Sequence, residues 1–255
     1  MSRMQSEAQI EWQLPPGELR LAANEIHLWC ADLAVQSFPL TSLQVLLSED
    51  ERARAQRFRF GKDQTQFTVA RGLLRRLLAQ YVQADPAALD FGYGAQGKPY
   101  LRDERGGAHS LRFNLAHAGD LILYAVSCEQ ELGIDVEPIR AETSQEAIAE
   151  HFFSPVEVAT LRALPADQQS QAFFHCWTRK EAYIKARSEG LSFPLDGFAV
   201  SMDAQTPVTL NVFQSPHENE RWRIYPFAPK PQYVGAVAVE GKDHTFQFFS
   251  AHSLL

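Results

Sequence analysis

The pattern of apolar and polar positions divides this chain into two stretches of similar build. In the first, His27–Leu33 reads as a strand, Ser48 followed by Glu51 is a capping box that opens a helix, and Gln66–Val82 is a second, strongly apolar helix. Phe91–Leu101 is rich in turn residues and reads as extended, and Leu121–Ser127 is a buried strand. In the second, Gly133–Glu137 is a short strand, and Ser154-Pro155 with Glu157 repeats the capping box with proline at the first helical position. Ala172–Ser188 follows as a helix stopped at Gly190, and Val208–Val212, Trp222–Tyr225 and Tyr233–Val239 supply strands. Helices and strands mixed within each half predict an α+β fold rather than a regular βαβ alternation. The expected organisation is a lead-in over residues 1–20, one subdomain over 21–132 and another over 133–255.

Composition changes this picture little. At 255 residues, with 45% hydrophobic and 22% charged, the chain can bury a core without a disulfide or metal staple. Cys30, Cys128 and Cys176 are odd in number and far apart, which favours a reducing compartment. The N-terminal MSRMQSEAQIEWQ has no apolar signal core, and the longest purely apolar run, Leu121–Val126, is far below a membrane span. A soluble, cytoplasmic protein with no membrane partner is expected.

Charge says more. The net charge of −7 argues against a nucleic-acid partner. From Ser48 to Arg76, however, eight basic residues (Arg52, Arg54, Arg57, Arg59, Lys62, Arg71, Arg75, Arg76) face four acids, a surplus of +4 that leaves −11 elsewhere. A basic face on an acidic protein suits a small polyanion, although a solvated helix face would carry the same charges.

Gly92-Tyr93-Gly94-Ala95-Gln96-Gly97 matches the dinucleotide pattern GxGxxG and, with Lys98, the first seven positions of a P-loop. Both mechanisms need the glycines to open a helix. Here Pro99 stands where a P-loop needs Ser or Thr, and Tyr100-Leu101 is extended. The segment is a turn that presents Lys98 as a candidate anion contact.

Three places carry chemistry. In Gly133-Ile134-Asp135-Val136-Glu137, period-two alternation puts Asp135 and Glu137 on one strand face and buries Ile134 and Val136 on the other. Paired carboxylates repel unless a cation lies between them, and oxygen ligands without His or Cys suit Mg²⁺; a solvent-facing strand end is the alternative. On the helix containing Trp177, the residues Phe173, Trp177 and Ile184 share the core face, with Glu181 and Lys185 one turn apart at its border. Such a pair also occurs merely as a helix stabiliser. In Phe113-Asn114-Leu115-Ala116-His117-Ala118-Gly119-Asp120, His117 sits between small residues in an expected turn and can approach a phosphate closely.

Taken together, GIDVE, WTRKEAYIK, FNLAHAG and GKPYL resemble, in order and spacing, the Sfp-type 4′-phosphopantetheinyl transferases from about Ser48 to Val200. The resemblance implies a pseudo-twofold monomer of two similar subdomains with coenzyme A bound between them. It implies transfer of the phosphopantetheine arm to a serine of an apo carrier protein (acyl, peptidyl or polyketide), leaving adenosine 3′,5′-bisphosphate. Asp135, Glu137 and Glu181 match the family's Mg²⁺ ligands, with Mn²⁺ as an alternative ion, and Glu181 matches the base for the serine, directly or through a water. Lys185 matches the lysine that neutralises the pyrophosphate, His117 and Lys98 match phosphate contacts, and Arg54 with Arg71 match residues reaching the 3′-phosphate. Two positions depart from the pattern: Ala116 where many relatives have Ser, and Glu51 where some have Lys. A metal-dependent phosphohydrolase and a non-catalytic carrier-binding module are the competing classes, and three converging acids argue against the second.

Overall fold

The chain builds the same unit twice. The computed structural model describes residues 10–35, 37–140, 145–190, 193–203 and 208–255, so residues 1–9 of the expected lead-in lie outside it. The first unit runs β1 (Glu25–Asp32), α1 (Leu40–Gln44), α2 (Glu49–Gln56), α3 (Gly61–Val82), β2 (Phe91–Tyr93), β3 (Pro99–Leu101), β4 (Leu111–Ala118) and β5 (Leu121–Cys128). The second runs β6 (Leu132–Pro138), α4 (Gln145–Phe152), α5 (Pro155–Ala163), α6 (Ala166–Arg187), β7 (Phe198–Val200), β8 (Leu210–Val212), α7 (Glu218–Arg221), β9 (Trp222–Phe227) and β10 (Tyr233–Glu240). In each, the last strand pairs antiparallel with both the first and the one before it, giving β1-β5-β4 and β6-β10-β9. A two-stranded hairpin, β2–β3 or β7–β8, follows the long helix in both. The α+β, two-subdomain organisation is therefore a duplication in topology.

A final strand, β11 (Thr245–Ser250), breaks the symmetry by pairing parallel with β1. The second unit begins with β6 at Leu132, while β11 returns the end of the chain to the first sheet.

Period-two alternation stacks these units in layers. Ile26, Leu28 and Cys30 of β1, with Leu121, Leu123 and Ala125 of β5, face Leu132, Ile134 and Val136 of β6 across one core. Their neighbours Trp29, Ala31, Ile122, Tyr124 and Val126 pack instead against Leu73, Leu74, Leu77 and Leu78 of α3. On the far side α6 packs against Ala236 and Ala238 of β10. The order is helix, sheet, sheet, helix.

Both capping boxes form: Ser48 with Glu51 opens α2, and Ser154 with Glu157 opens α5. Each long helix starts earlier than the apolar pattern indicates, at Gly61 rather than Gln66 and at Ala166 rather than Ala172, because the first turns carry polar residues. Among the described residues no helix is long and apolar enough to cross a membrane.

Candidate active site

The approach of α6 to β6 creates the site. A Cβ on Gly133 would lie 2.2 Å from the Ala182 carbonyl oxygen and 2.3 Å from the Ala186 nitrogen, so only glycine lets the helix cross the strand this closely. Asp135 and Glu137 project toward the helix side, as alternation predicts, while Ile134 and Val136 are buried between the sheets. Glu181 and Lys185 are half-buried at the helix rim. The rest of α6 is covered more fully than its apolar stripe indicates, since Phe174, Cys176, Arg179 and Lys180 are buried as well.

Lys185 Nζ donates to Asp135 Oδ1 at 2.6 Å and to the Ile134 carbonyl at 3.4 Å. Asp135 Oδ2 is buried with no hydrogen-bond partner. Burial raises the Asp135 carboxyl above its usual range, against the pull of Lys185. Burial, and then the charge of Asp135, push Glu137 to about 7 and also raise Glu181. These three carboxylates thus feel one another, with Lys185 as their compensating ammonium. Among the described residues no three or more His, Cys, Asp or Glu side chains are already set out as a metal-holding group. The donor chemistry nevertheless fits a hard divalent cation, because an orphaned carboxylate oxygen is desolvated beside two further carboxylates.

His117 lies within strand β4 and not in a turn. The small residues read as a turn are the strand's last positions, where Ala118 pairs with Leu121 across a tight connection through Gly119 and Asp120. His117 is exposed there, and desolvation followed by the Lys185 ammonium lowers its pKa, which Asp135 and Asp63 oppose. Ala116 points away from it, buried between the sheets. Sequence reasoning assigned no role to Asn114, yet its Oδ1 accepts from the Ile134 backbone N–H at 2.9 Å and fastens β4 to β6. A polar residue at a buried strand position was the available signal, because it must find a partner.

A cleft of about 240 Å³ joins these parts, lined by Lys98, Asn114, Glu181 and Lys185 together with Gln96 and Gly97. A second hollow of about 540 Å³ shares Gln96 and Gly97 and continues to Arg54, Arg57 and Tyr93. The two form one groove from Glu181 and Lys185 to the basic segment. Lys98 reaches the groove as a tether: its ammonium donates to Glu131 at 3.2 Å and to the carbonyls of Leu132 at 2.9 Å and Ala186 at 3.4 Å.

Arg54 is exposed on α2, 5.6 Å from the Phe67 ring. Arg57, which sequence reasoning counted only as charge, lines the groove beside it. Arg71, expected to reach a phosphate, is only 5% exposed; it is ion-paired to Glu51 at 2.7 Å and donates to the Tyr93 hydroxyl. Its burial has a physical cause: Glu51 is buried and draws both Arg71 and Arg75 inward. Two of the segment's arginines and one of its acids, a net +1 of the +4 surplus, are therefore internal to the fold.

Residues 131–238 match the 4′-phosphopantetheinyl transferase superfamily, and residues 37–129 match the N-terminal region of 4′-phosphopantetheinyl transferases. The chain is 37% identical to the 4′-phosphopantetheinyl transferase HetI of Nostoc sp., over 90% of its own length and 94% of that protein. It is 34% identical to the transferase psf-1 of Bacillus pumilus, over 78% of this chain and 81% of that one. With Sfp of Bacillus subtilis the identity is 31% over 71% of this chain and 78% of the relative. The junction between the two matched regions falls where β5 gives way to β6, so each repeat carries its own part of the likeness. The chain belongs to the 4′-phosphopantetheinyl transferase superfamily.

Proposed function

We propose that the groove binds coenzyme A across the two subdomains and that this enzyme transfers its 4′-phosphopantetheine arm to a serine of an apo carrier protein. Adenosine 3′,5′-bisphosphate is the second product. The observation that carries the site assignment is the buried, unpartnered Asp135 Oδ2 beside Glu137 and Glu181, the last of which, with Lys185, lines a groove that leads to exposed arginines.

Asp135, Glu137 and Glu181 would hold Mg²⁺, for which Mn²⁺ could substitute, and a bound ion would supply charge neutralisation at the pyrophosphate. Glu181, kept basic above the ordinary carboxylate range by burial and by Asp135, accepts the proton of the carrier serine, directly or through a water. Lys185 swings its ammonium from Asp135 toward the pyrophosphate and is the proton donor for the leaving phosphate. His117 and Lys98 contact phosphates from the first subdomain, and Lys98 trades its bond to Glu131 for one to the substrate. Arg54 and Arg57 meet the 3′-phosphate, while Arg71 acts from behind, through its partners. The partner is an apo carrier protein or carrier domain and neither a nucleic acid nor a membrane; the enzyme is a monomer. The free thiols Cys30, Cys128 and Cys176 support a cytoplasmic setting.

The test is a mass spectrum of a panel of apo carrier proteins after incubation with enzyme, coenzyme A and Mg²⁺. A phosphopantetheine mass gain on at least one carrier is expected. Hydrolysis of coenzyme A without any carrier modification would instead identify a phosphohydrolase.

A further inference from the structure

The two repeats carry the same buried device and differ in it at one place. In the second, the Glu157 carboxylate accepts from Lys180 Nζ at 2.9 and 2.7 Å, from the Val200 N–H at 2.8 Å and from Cys176 Sγ at 3.4 Å. Lys180 also donates to the Phe198 carbonyl at 2.7 Å and lies 4.1 Å from that ring's centre. All of these groups are buried, and the device is closed.

In the first repeat Glu51 takes the place of Glu157, Arg75 that of Lys180 and Phe91 that of Phe198. Arg75 Nε lies 2.7 Å from Glu51 Oε2, and its guanidinium is 5.1 Å from the Phe91 ring. One helical turn before the cation, the second repeat has neutral Cys176 where the first has Arg71. One carboxylate then faces two guanidiniums, although a single cation closes the same device in the second repeat. The additional one leads to the groove. Arg71 Nη2 donates to the Tyr93 hydroxyl oxygen, and the guanidinium lies 5.7 Å from the Tyr93 ring. Val200, an apolar and buried residue, holds the matching strand position in the second repeat.

A phenol oxygen that accepts from a guanidinium must direct its own proton elsewhere, and the adjacent positive charge makes that proton a stronger donor. Tyr93 is 46% exposed and lines the hollow with Arg54 and Arg57. We propose that Tyr93 is a substrate-contacting residue whose hydroxyl donates to a phosphate oxygen of coenzyme A, and that Arg71, anchored by Glu51, is the residue that positions it. The inference rests on the groove being the coenzyme A site. The departure of one repeat from the other marks where function was added to a frame that otherwise serves folding.

Calorimetric titration of Tyr93→Phe and Arg71→Lys with coenzyme A reads this contact without any carrier protein. Tyr93→Phe keeps the ring on Arg71 but removes the acceptor of Arg71 Nη2, so a modest fall in melting temperature is expected and is measured beside the affinity of the folded protein. Its Kd should rise about tenfold, the scale of a lost hydrogen bond to a charged group. Arg71→Lys, which retains the charge beside Glu51 but not the branch to Tyr93, should show a similar rise, and the double variant no further one. A penalty for coenzyme A but not dephospho-coenzyme A assigns the bond to the 3′-phosphate; an equal penalty for both assigns it to the diphosphate. Unchanged Kd in Tyr93→Phe overturns the proposal, as does a rise that Arg71→Lys adds to in full. Wild-type enzyme that binds coenzyme A but modifies no carrier would break the proposed reaction and leave this contact standing.

Discussion

Lys185 Nζ lies 2.6 Å from Asp135 Oδ1, while Oδ2 of the same carboxyl group is buried and meets no donor. Half of this carboxylate is neutralised by the protein and half is left for something else. An unsatisfied buried oxygen costs roughly 1–3 kcal/mol, and a fold has no structural use for it beside two further acids. The relationship separates the roles of the pair: Lys185 is 31% exposed in its side chain and able to move toward a substrate, whereas Asp135 is fixed.

Replacing Asp135 by Ala should therefore abolish transfer without loss of stability. The substitution removes a desolvated charge whose removal also relieves Glu137 and Glu181. A fall in kcat/KM of ~10³-fold or more, with a melting temperature at or above the wild type's, is expected. Lys185→Ala should slow the reaction as well, with the larger effect on kcat, because its ammonium is assigned to charge that develops as the leaving group departs. Turnover of a carrier protein and a thermal scan on each variant check both statements.

The raised acids also set a pH dependence. Glu137 titrates near 7 in the folded protein against an ordinary value of 4.5, so the native state binds more protons than the unfolded chain between these values. The contribution of Glu137 to stability then falls as pH rises through that window, and the upward shifts of Asp135 and Glu181 act in the same sense. Between pH 5.5 and pH 7.5 chelator-treated wild type should lose stability relative to Glu137→Gln in thermal scans; that comparison cancels the opposite contribution of His27, His117, His175 and His244, whose pKa values burial lowers. Added Mg²⁺ should raise the melting temperature more at pH 7.5, where the carboxylates are charged.

Gly133→Ala tests the backbone that assembles the site. The new Cβ would overlap the Ala182 carbonyl and the Ala186 nitrogen, both main-chain atoms that cannot rotate away. α6 must shift, at a cost of about 1–3 kcal/mol. Because Glu181 and Lys185 ride on that helix, kcat should fall further than the stability loss alone explains. Chemical denaturation and steady-state kinetics on one preparation separate the two effects.

What the sequence disclosed and what it concealed follow from the range of the interactions involved. Alternation along Gly133–Glu137 was enough to place Asp135 and Glu137 on one face, and the capping boxes were visible because their partners are three residues apart. β11 escaped notice, since its pairing partner β1 lies at the other end of the chain. His117 was misread for a local reason: small residues signal a turn, yet here they end a strand whose register is set by Leu121 and Ile122. Arg71 was legible as a charge and not as a buried one. Its environment depends on Glu51, which the sequence presents as a cap and which the fold uses a second time as a counter-ion.

Arg54 tests the exposed part of the basic segment, whose Arg71 is buried. Dephospho-coenzyme A keeps the pyrophosphate and the pantetheine arm, so it meets Asp135, Lys98 and Lys185 unaltered and lacks only the group assigned to Arg54 and Arg57. The exposed position of Arg54 lets water replace part of a lost ion pair, which sets the single-site effect at the lower end, about tenfold in kcat/KM between the two donors. Arg54→Ala should discriminate less than the wild type, and the Arg54→Ala/Arg57→Ala double variant should treat both donors nearly alike. Comparing three enzymes with two donors isolates the coupling to the 3′-phosphate from any general damage to the helix. Equal slowing of both donors would make these arginines surface charges of α2 and move the 3′-phosphate away from the hollow they line.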